Sequence, residues 1–412
     1  MEKDFDSIVT GTLLFRGVNF VFVFDRQKLR LIPPVDEVNS IEKWFQTEIV
    51  RGVFSNDKSI YVEEPVLIGD CNEGYKIILF PVQMRSVHRF NNILIVEIEA
   101  YIWQRMERKT IGRMGFESPE IDCIFPTRKA ISSTTWSKSG EITLETKPFI
   151  ASITEEQQFI VDGRYVSMHF AISRKINGAL TVPPLSLHSE MYFEFEPTED
   201  YAFILRLYKI AKVFIQYLCY RENVPFASVN LSALWGEAKY EQFANLYILN
   251  DDSETETKCL KDGRYICQEH IEGREGKILS DIAAGVLYTR NIPCTYKQGR
   301  SIDAARFVMI TAAFEWEFKR LYPSGIVKRP QTIDAEKNAE SALEDLRAQA
   351  TGKLKEIYKN LINSIRFTQL SSRIIHTGKD MGDIIDGFGK HLYRLNGQEL
   401  NYSDMGERLG KQ

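Results

Sequence analysis

The 412 residues exceed what one hydrophobic core organises and imply about two or three domains. With 44% hydrophobic and 26% charged side chains and a formal charge of −4, the chain is ordinary globular material without a global basic field. That balance excludes a strongly basic nucleic-acid binder and leaves any such contact to a local patch. Residues 301–412 hold 17 Lys and Arg against 15 Asp and Glu, too weak a bias to identify a partner.

The first two hundred residues carry mostly strand signals. "GTLLF", "NFVFVFD", "KLRLIP", "PVLIGD", "YKIILFPV", "NILIVEIEAYIW", "EITLETKPF" and "YVSMHFAIS" are short β-branched or aromatic runs, several alternating, bounded by Gly, Pro, Asn and Asp. They predict a sandwich or a rolled antiparallel sheet, closed off by Pro183 and Pro184. A helix over roughly 198–222 follows, capped by Thr198 and the acids at 199 and 200. Its apolar run is interrupted by Arg206, Lys209 and Lys212, too many charges for a bilayer span, so no membrane partner is expected. Further strands are predicted around "FASVNLSAL" and "FANLYIL", and residues 250–276 read as a long polar loop around a short hairpin.

After Arg300 the periodicity changes. Ala304, Phe307, Thr311, Phe314, Phe318 and Leu321 recur at steps of three and four until Pro323. A second stripe from Asp334 carries Ala339, Leu343, Leu346, Ala350, Leu354, Ile357 and Leu361. Helical patterns continue through "INSIRFTQLSSRIIH" and "DIIDGFGKHLYRL". The last, "SDMGERLGKQ", opens with Asp404 and Glu407 in the form of a capping box. The expected fold class is therefore α+β: a β-rich N-terminal domain over 1–300, antiparallel sheets with a packed helix and a sub-boundary near 197, then an all-α bundle over 301–412 that reads as unfinished at its C-terminus.

Candidate chemistry is sparse. Cys259, Cys267, His270 and Cys294 offer zinc-type donors, but a spacing of eight between the first two is loose for a structural site, so ordinary core and loop cysteines compete with that reading. Six scattered cysteines without a disulfide framework point to a reducing cytoplasm. Arg373 and His376 lie one helical turn apart, a phosphate-holding cation beside a proton-moving imidazole; alternatively His376 caps a helix ending before Gly378. Glu315 sits beside an apolar stripe and could meet an Arg from a neighbouring helix, or could simply face water. No phosphate-binding loop, dinucleotide turn, nucleophile elbow or zincin histidine pair is present, and no cofactor is implied.

The helix "ARFVMITAAFEWEFKRLYP" is similar to the first helix of the HEPN domain in ApeA-type bacterial anti-phage proteins, which carries a Glu in this setting. The segments "GTLLF", "PVLIGDCNEGYKIILFPV", "FESPEIDCIF", "GEITLETKPF" and "LYKIAKVFIQYLCYRENVPFASVNL" resemble, in order and character, that family's N-terminal domain. The resemblance implies a metal-independent ribonuclease of abortive infection. In that scheme Arg stabilises charge on the scissile phosphate, His moves a proton, and the RNA 2′-hydroxyl is the nucleophile. It implies RNA as substrate, a homodimer or larger assembly through the helical domain, and a phage-derived trigger or inhibitor as a further partner. The catalytic Arg-Asn and His are expected just after Gln412, because a segment resembling "SDMGERLGKQ" leads into them; Arg373 and His376 are too close together and too early to be that motif. A non-catalytic module that binds RNA or a nucleotide and dimerises is the alternative.

Overall fold

The computed structural model describes residues 8–26, 28–45, 60–71, 74–83, 85–105, 110–176, 185–236, 239–249, 251–366 and 370–382. The chain forms two units, dividing between Ile302 and Asp303.

The first unit begins as a meander, β1 (Val9–Phe15), β2 (Val18–Phe24) and β3 (Lys28–Ile32), followed by α1 (Val38–Phe45). Arg16 and Gly17 both take positive φ between β1 and β2, the twist a tight hairpin requires. Alternation then decides the faces: Leu13, Phe15, Phe20, Phe22, Phe24, Leu29 and Leu31 all turn inward. The short β4 (Ile60–Tyr61) pairs with β7 (Ser86–Phe90), while β5 (Leu67–Cys71) and β6 (Tyr75–Pro81) form a hairpin beside β1. The long β8 (Ile93–Arg105) pairs with both β3 and β6, so β8-β3-β2-β1-β5-β6 closes into a six-stranded antiparallel barrel.

Closure needs a close approach between β1 and β5. A Cβ on Gly11 would collide with the Asp70 carbonyl oxygen, and Cβ atoms on Gly11 and Gly69 would stand 2.8 and 2.6 Å from Phe22 Cε1. The two glycines thus make room for the Phe22 ring.

A bulge lets β8 serve two cores. Phe80 pairs with Ala100 but Pro81 pairs with Ile98, which leaves Glu99 as the extra residue on β8. Leu94, Val96 and Ile98 therefore enter the barrel; past the bulge Tyr101 enters it, while Ala100 and Ile102 join a second core. That core lies under the sheet β12-β13-β14-β9-β15-β16-β8. Its strands are β9 (Ile111–Glu117), β12 (Gln157–Val161), β13 (Arg164–Ile176), β14 (Leu185–Thr198), β15 (Ser228–Trp235) and β16 (Lys239–Ile248). A separate exposed hairpin joins β10 (Ile131–Trp136) to β11 (Ile142–Thr146).

Helix α3 (Tyr201–Cys219) covers this core, together with α2 (Pro119–Ile124) and α5 (Glu275–Ala283). Ile204, Leu207, Ala211, Phe214, Ile215 and Leu218 are buried, and each large apolar side chain there contributes roughly 1.5–3 kcal/mol. Asp200 caps the helix by accepting from the Phe203 N–H at 3.1 Å, and the left-handed Tyr220 ends it. The helix is shorter at both ends than the expected 198–222, and Thr198 acts one step earlier, accepting from the Asp200 N–H. The expected hairpin within 250–276 is absent: α4 (Thr257–Lys261) and the start of α5 occupy that span, which lacks the alternation that would give it a sheet partner. The short α6 (Tyr296–Gly299) closes the unit.

The second unit contains α7 (Ala304–Leu321), α8 (Pro330–Gln349), α9 (Gly352–Arg366) and α10 (Leu370–Asp380). Asp303 caps α7 through the Arg306 N–H at 2.8 Å, and Pro330 opens α8 at a position where its missing N–H costs nothing. The stripe expected to run unbroken from Ala339 to Leu361 is split, because Gly352 takes φ +59° and the chain turns there, so that α8 and α9 pack against one another. The patterns expected over 383–395 and 403–412 lie outside the described residues. Among the described residues, no helix is long and apolar enough to cross a membrane.

Candidate functional site

The helical unit brings three singled-out residues together. Glu315 on α7 forms an ion pair with Arg373 on α10, two positions 58 apart in sequence. The Arg373 guanidinium also lies 5.5 Å from the centre of the Phe318 ring. His376, one turn along α10, meets Tyr322 edge-on with ring centres 4.8 Å apart, and Phe318 at 6.5 Å. The Tyr322 hydroxyl donates to Asp380 at 2.6 Å; partial burial and that carboxylate push the phenol up to about 12. Helix α10 runs through Gly378 to Asp380, so His376 lies within the helix and does not cap its end. The cluster is an acid, a guanidinium and an imidazole, each half-buried, on the seam between two helices.

The zinc-type donors do not converge. Among the described residues, no group of three or more His, Cys, Asp or Glu could hold a metal ion. Cys259 is buried and its Sγ accepts from Arg221 Nη1 at 3.1 Å, while Cys267 is half-buried and Cys294 exposed. His270 ends a single helical turn after Cys267.

Cys259 belongs to a buried ionic network that periodicity does not reveal. Arg221 and Glu120 are 1% and 0% exposed and meet at 2.6 Å. Arg221 Nε donates to the Asn223 carbonyl at 3.1 Å and stands 3.3 Å from Glu256. Burial pushes the Glu120 carboxyl up, opposed by Arg221. No substrate could reach either group, so this network ties the end of α3 to α2 and α4 as scaffold.

The second candidate site was missed in the sequence altogether. The sheet face opposite α3 is polar and aromatic, and one continuous row crosses six strands: Trp103, Asn245, Asn230, Gly115, Tyr192 and His169 are successive cross-strand partners. A concavity of about 860 Å³ takes in Trp103, Asn245 and Asn230 from the β8, β16 and β15 end of this row, Tyr75 on β6, and Tyr208 and Phe226 from the α3 side. Its aromatic wall is Tyr75 stacked on Trp103, centres 5.0 Å apart, and Tyr247, which rests on the buried Tyr101 at 4.8 Å. Its floor is a hydrogen-bonded chain in which Gln242 Nε2 donates to Asn245 Oδ1 at 2.7 Å and Asn230 Oδ1 at 2.9 Å. Asn230 Nδ2 in turn donates to Glu117 at 3.0 Å.

At the far end of the row the chemistry is ionic. Arg113 pairs with Glu194, its Nε donating at 2.8 Å, and its guanidinium stands 3.9 Å from the Tyr240 ring centre and 4.8 Å from that of Tyr192. Tyr192 donates to Glu190, and burial beside that carboxylate raises its phenol. His169 is 7% exposed, stacks on Tyr192, and is held below its ordinary value by burial. The signal that could have found this face is the polar half of the strand alternation, Ser228, Asn230 and Ser232 against buried Val229, Leu231 and Ala233.

No family model matches the chain, and neither a curated protein nor a solved structure matches it.

Proposed function

We propose that the protein is a HEPN-like ribonuclease of bacterial anti-phage defence, cutting RNA without a metal, with the helical unit as effector and the β-rich unit sensing infection or restraining it. The observation that carries this reading is the convergence of Glu315, Arg373 and His376 on α7 and α10. A guanidinium binds phosphate oxygens bidentately, and an imidazole near neutrality can take or give a proton. The RNA 2′-oxygen would bond to phosphorus as the bond to the 5′-oxygen breaks, leaving a 2′,3′-cyclic phosphate and a 5′-hydroxyl; His376 would take the 2′-proton and return one to the 5′-oxygen, while Arg373 holds the phosphate oxygens. Glu315 holds the guanidinium in place until phosphate competes for it. The three-residue spacing of Arg373 and His376 differs from that of the family motif, so geometry and not resemblance nominates them. Exposed Val308, Trp316, Leu354 and Ile357 support pairing of two copies through this unit.

One feature favours the second reading, an RNA- or nucleotide-binding and dimerisation module without cleavage: Glu315 already neutralises Arg373. RNA binding and RNA cleavage by the full-length protein, measured for wild type, Arg373→Ala and His376→Ala, separate the two. The ribonuclease reading expects Arg373→Ala to weaken binding and cleavage, and His376→Ala to reduce cleavage by about 10²-fold or more with binding retained. Binding without cleavage in wild type selects the second reading, and absence of both rejects the two together.

A further inference from the structure

We propose that the concavity lined by Trp103, Tyr247, Asn245, Gln242 and Asn230 is a binding site for a neutral, linear oligosaccharide, independent of any RNA chemistry in the helical unit. Three observations lead there. The first is size: a concavity of about 860 Å³, bordered by Tyr75 and Trp103 of the barrel strands, has the volume typical of a ligand site. The second is the wall, where Tyr75 stacks on Trp103 and Tyr247 is backed by the buried Tyr101. Paired rings of this kind are rigid apolar platforms against which the C–H face of a pyranose packs.

The third is the floor. Tyr247, Asn245, Gln242, Asn230 and Glu117 form one chain of donors and acceptors, ending where Asn245 Nδ2 approaches the Tyr247 hydroxyl at 3.4 Å. These groups step across β16, β15 and β9 at strand spacing, roughly 4.8 Å. A ladder of that kind suits a ligand whose hydroxyls repeat along its length, since each step offers an amide or carboxylate that can both fix and read a hydroxyl. The chain also pre-orients its own members, so little side-chain freedom is lost on binding.

Charge among the described residues favours a neutral occupant. Among the described lining residues the one cation is Lys175, against the carboxylates Glu117 and Asp251. Asp251 is already held by Lys212 at 2.6 Å. A phosphodiester strand would meet two carboxylates without the cationic cluster that binds phosphate. A nucleoside could stack on the aromatic wall but would use only a step or two of the ladder.

The test is calorimetric titration of the full chain with maltohexaose, cellohexaose and chitohexaose, with adenosine, uridine and hexauridylate as comparison probes. The proposal expects saturable binding of at least one hexasaccharide, with affinity falling from the hexamer to the disaccharide. Gln242→Ala, an exposed position whose loss leaves the fold intact, should weaken binding about tenfold, the equivalent of one or two net hydrogen bonds. Asn230→Ala should do the same, with circular dichroism confirming the fold. Trp103→Ala should abolish binding; because Trp103 also packs on the barrel core, the two amide variants decide the matter if it does not fold. No saturable binding of any of the three saccharides overturns the proposal. So does binding that Gln242→Ala and Asn230→Ala leave unchanged, or a nucleoside or hexauridylate that binds as tightly as the best saccharide.

Discussion

The β-rich unit and the helical unit carry equally regular apolar patterns and bury them to very different extents. On β2, Phe20, Phe22 and Phe24 are at most 2% exposed, whereas Phe307 and Leu321 of the α7 stripe are 37% and 42% exposed. Among the described residues of the helical unit, the buried hydrophobic side chains are Ala313, Phe318 and Ile362. The cause is geometric. A closed ring of strands surrounds every inward side chain with others, and α3 seals the adjoining sheet, but a helix buries its stripe only as far as another element lies along it. The β-rich unit is thus stabilised by packing plus a buried ion pair, and the helical unit by capping, helix pairing and half-buried polar contacts.

Substitutions can break or sharpen that contrast. The largest effect is expected at the buried pair of the β-rich unit: Arg221→Ala strands Glu120 without its cation and should cost about 3–5 kcal/mol in urea denaturation. The double change Arg221→Met with Glu120→Leu should recover most of that loss, because no fully buried charge is left unpaired; Glu256 is 20% exposed and still accepts from the Tyr296 N–H.

Next comes pH. Burial holds His169 below its ordinary value, so as pH falls through about 6.5 the unfolded chain takes up a proton that the folded chain refuses. Stability present above that pH is lost on acidification toward the folded value, by about 1.4 kcal/mol for each pH unit of the window. His169→Phe should flatten this part of the stability profile between pH 7 and 5; an unchanged slope would refute the assignment.

In the helical unit, Arg373→Ala should cost only about 0.5–1 kcal/mol, since both partners of its ion pair are partly exposed. The charge swap Glu315→Arg with Arg373→Glu should restore part of it. Smallest of all, Ile357→Glu should shift chain stability by under about 0.5 kcal/mol, while sedimentation reports whether it disrupts self-association.

Much of the fold is legible residue by residue. Period-two runs such as "NFVFVFD" name their buried side chains, and α3 follows from its stripe and Asp200. Closure of the barrel is not legible, because it depends on Glu99 bulging out of β8 so that one strand changes faces, and nothing in "VEIEAY" marks that residue. The buried pair joins residues 101 apart, a distance over which local pattern carries no information. Gly352 could have been read as the break between α8 and α9, but the apolar spacing from Ala339 to Leu361 runs across it in phase. At the candidate sites, the spacing of Arg373 and His376 was visible, as was the option of an Arg partner for Glu315; that this partner is Arg373 and that Tyr322 meets His376 was not. The aromatic and amide face stayed hidden because its members come from five separate strands, β6, β8, β9, β15 and β16.

The central claim, that the helical unit cuts RNA without a metal, is tested most directly by incubating end-labelled RNA with the full-length protein in excess chelator and reading the fragment ends. The account predicts fragments ending in 2′,3′-cyclic phosphate that disappear with His376→Ala. RNA left intact, or cut only when a divalent metal is restored, would contradict it.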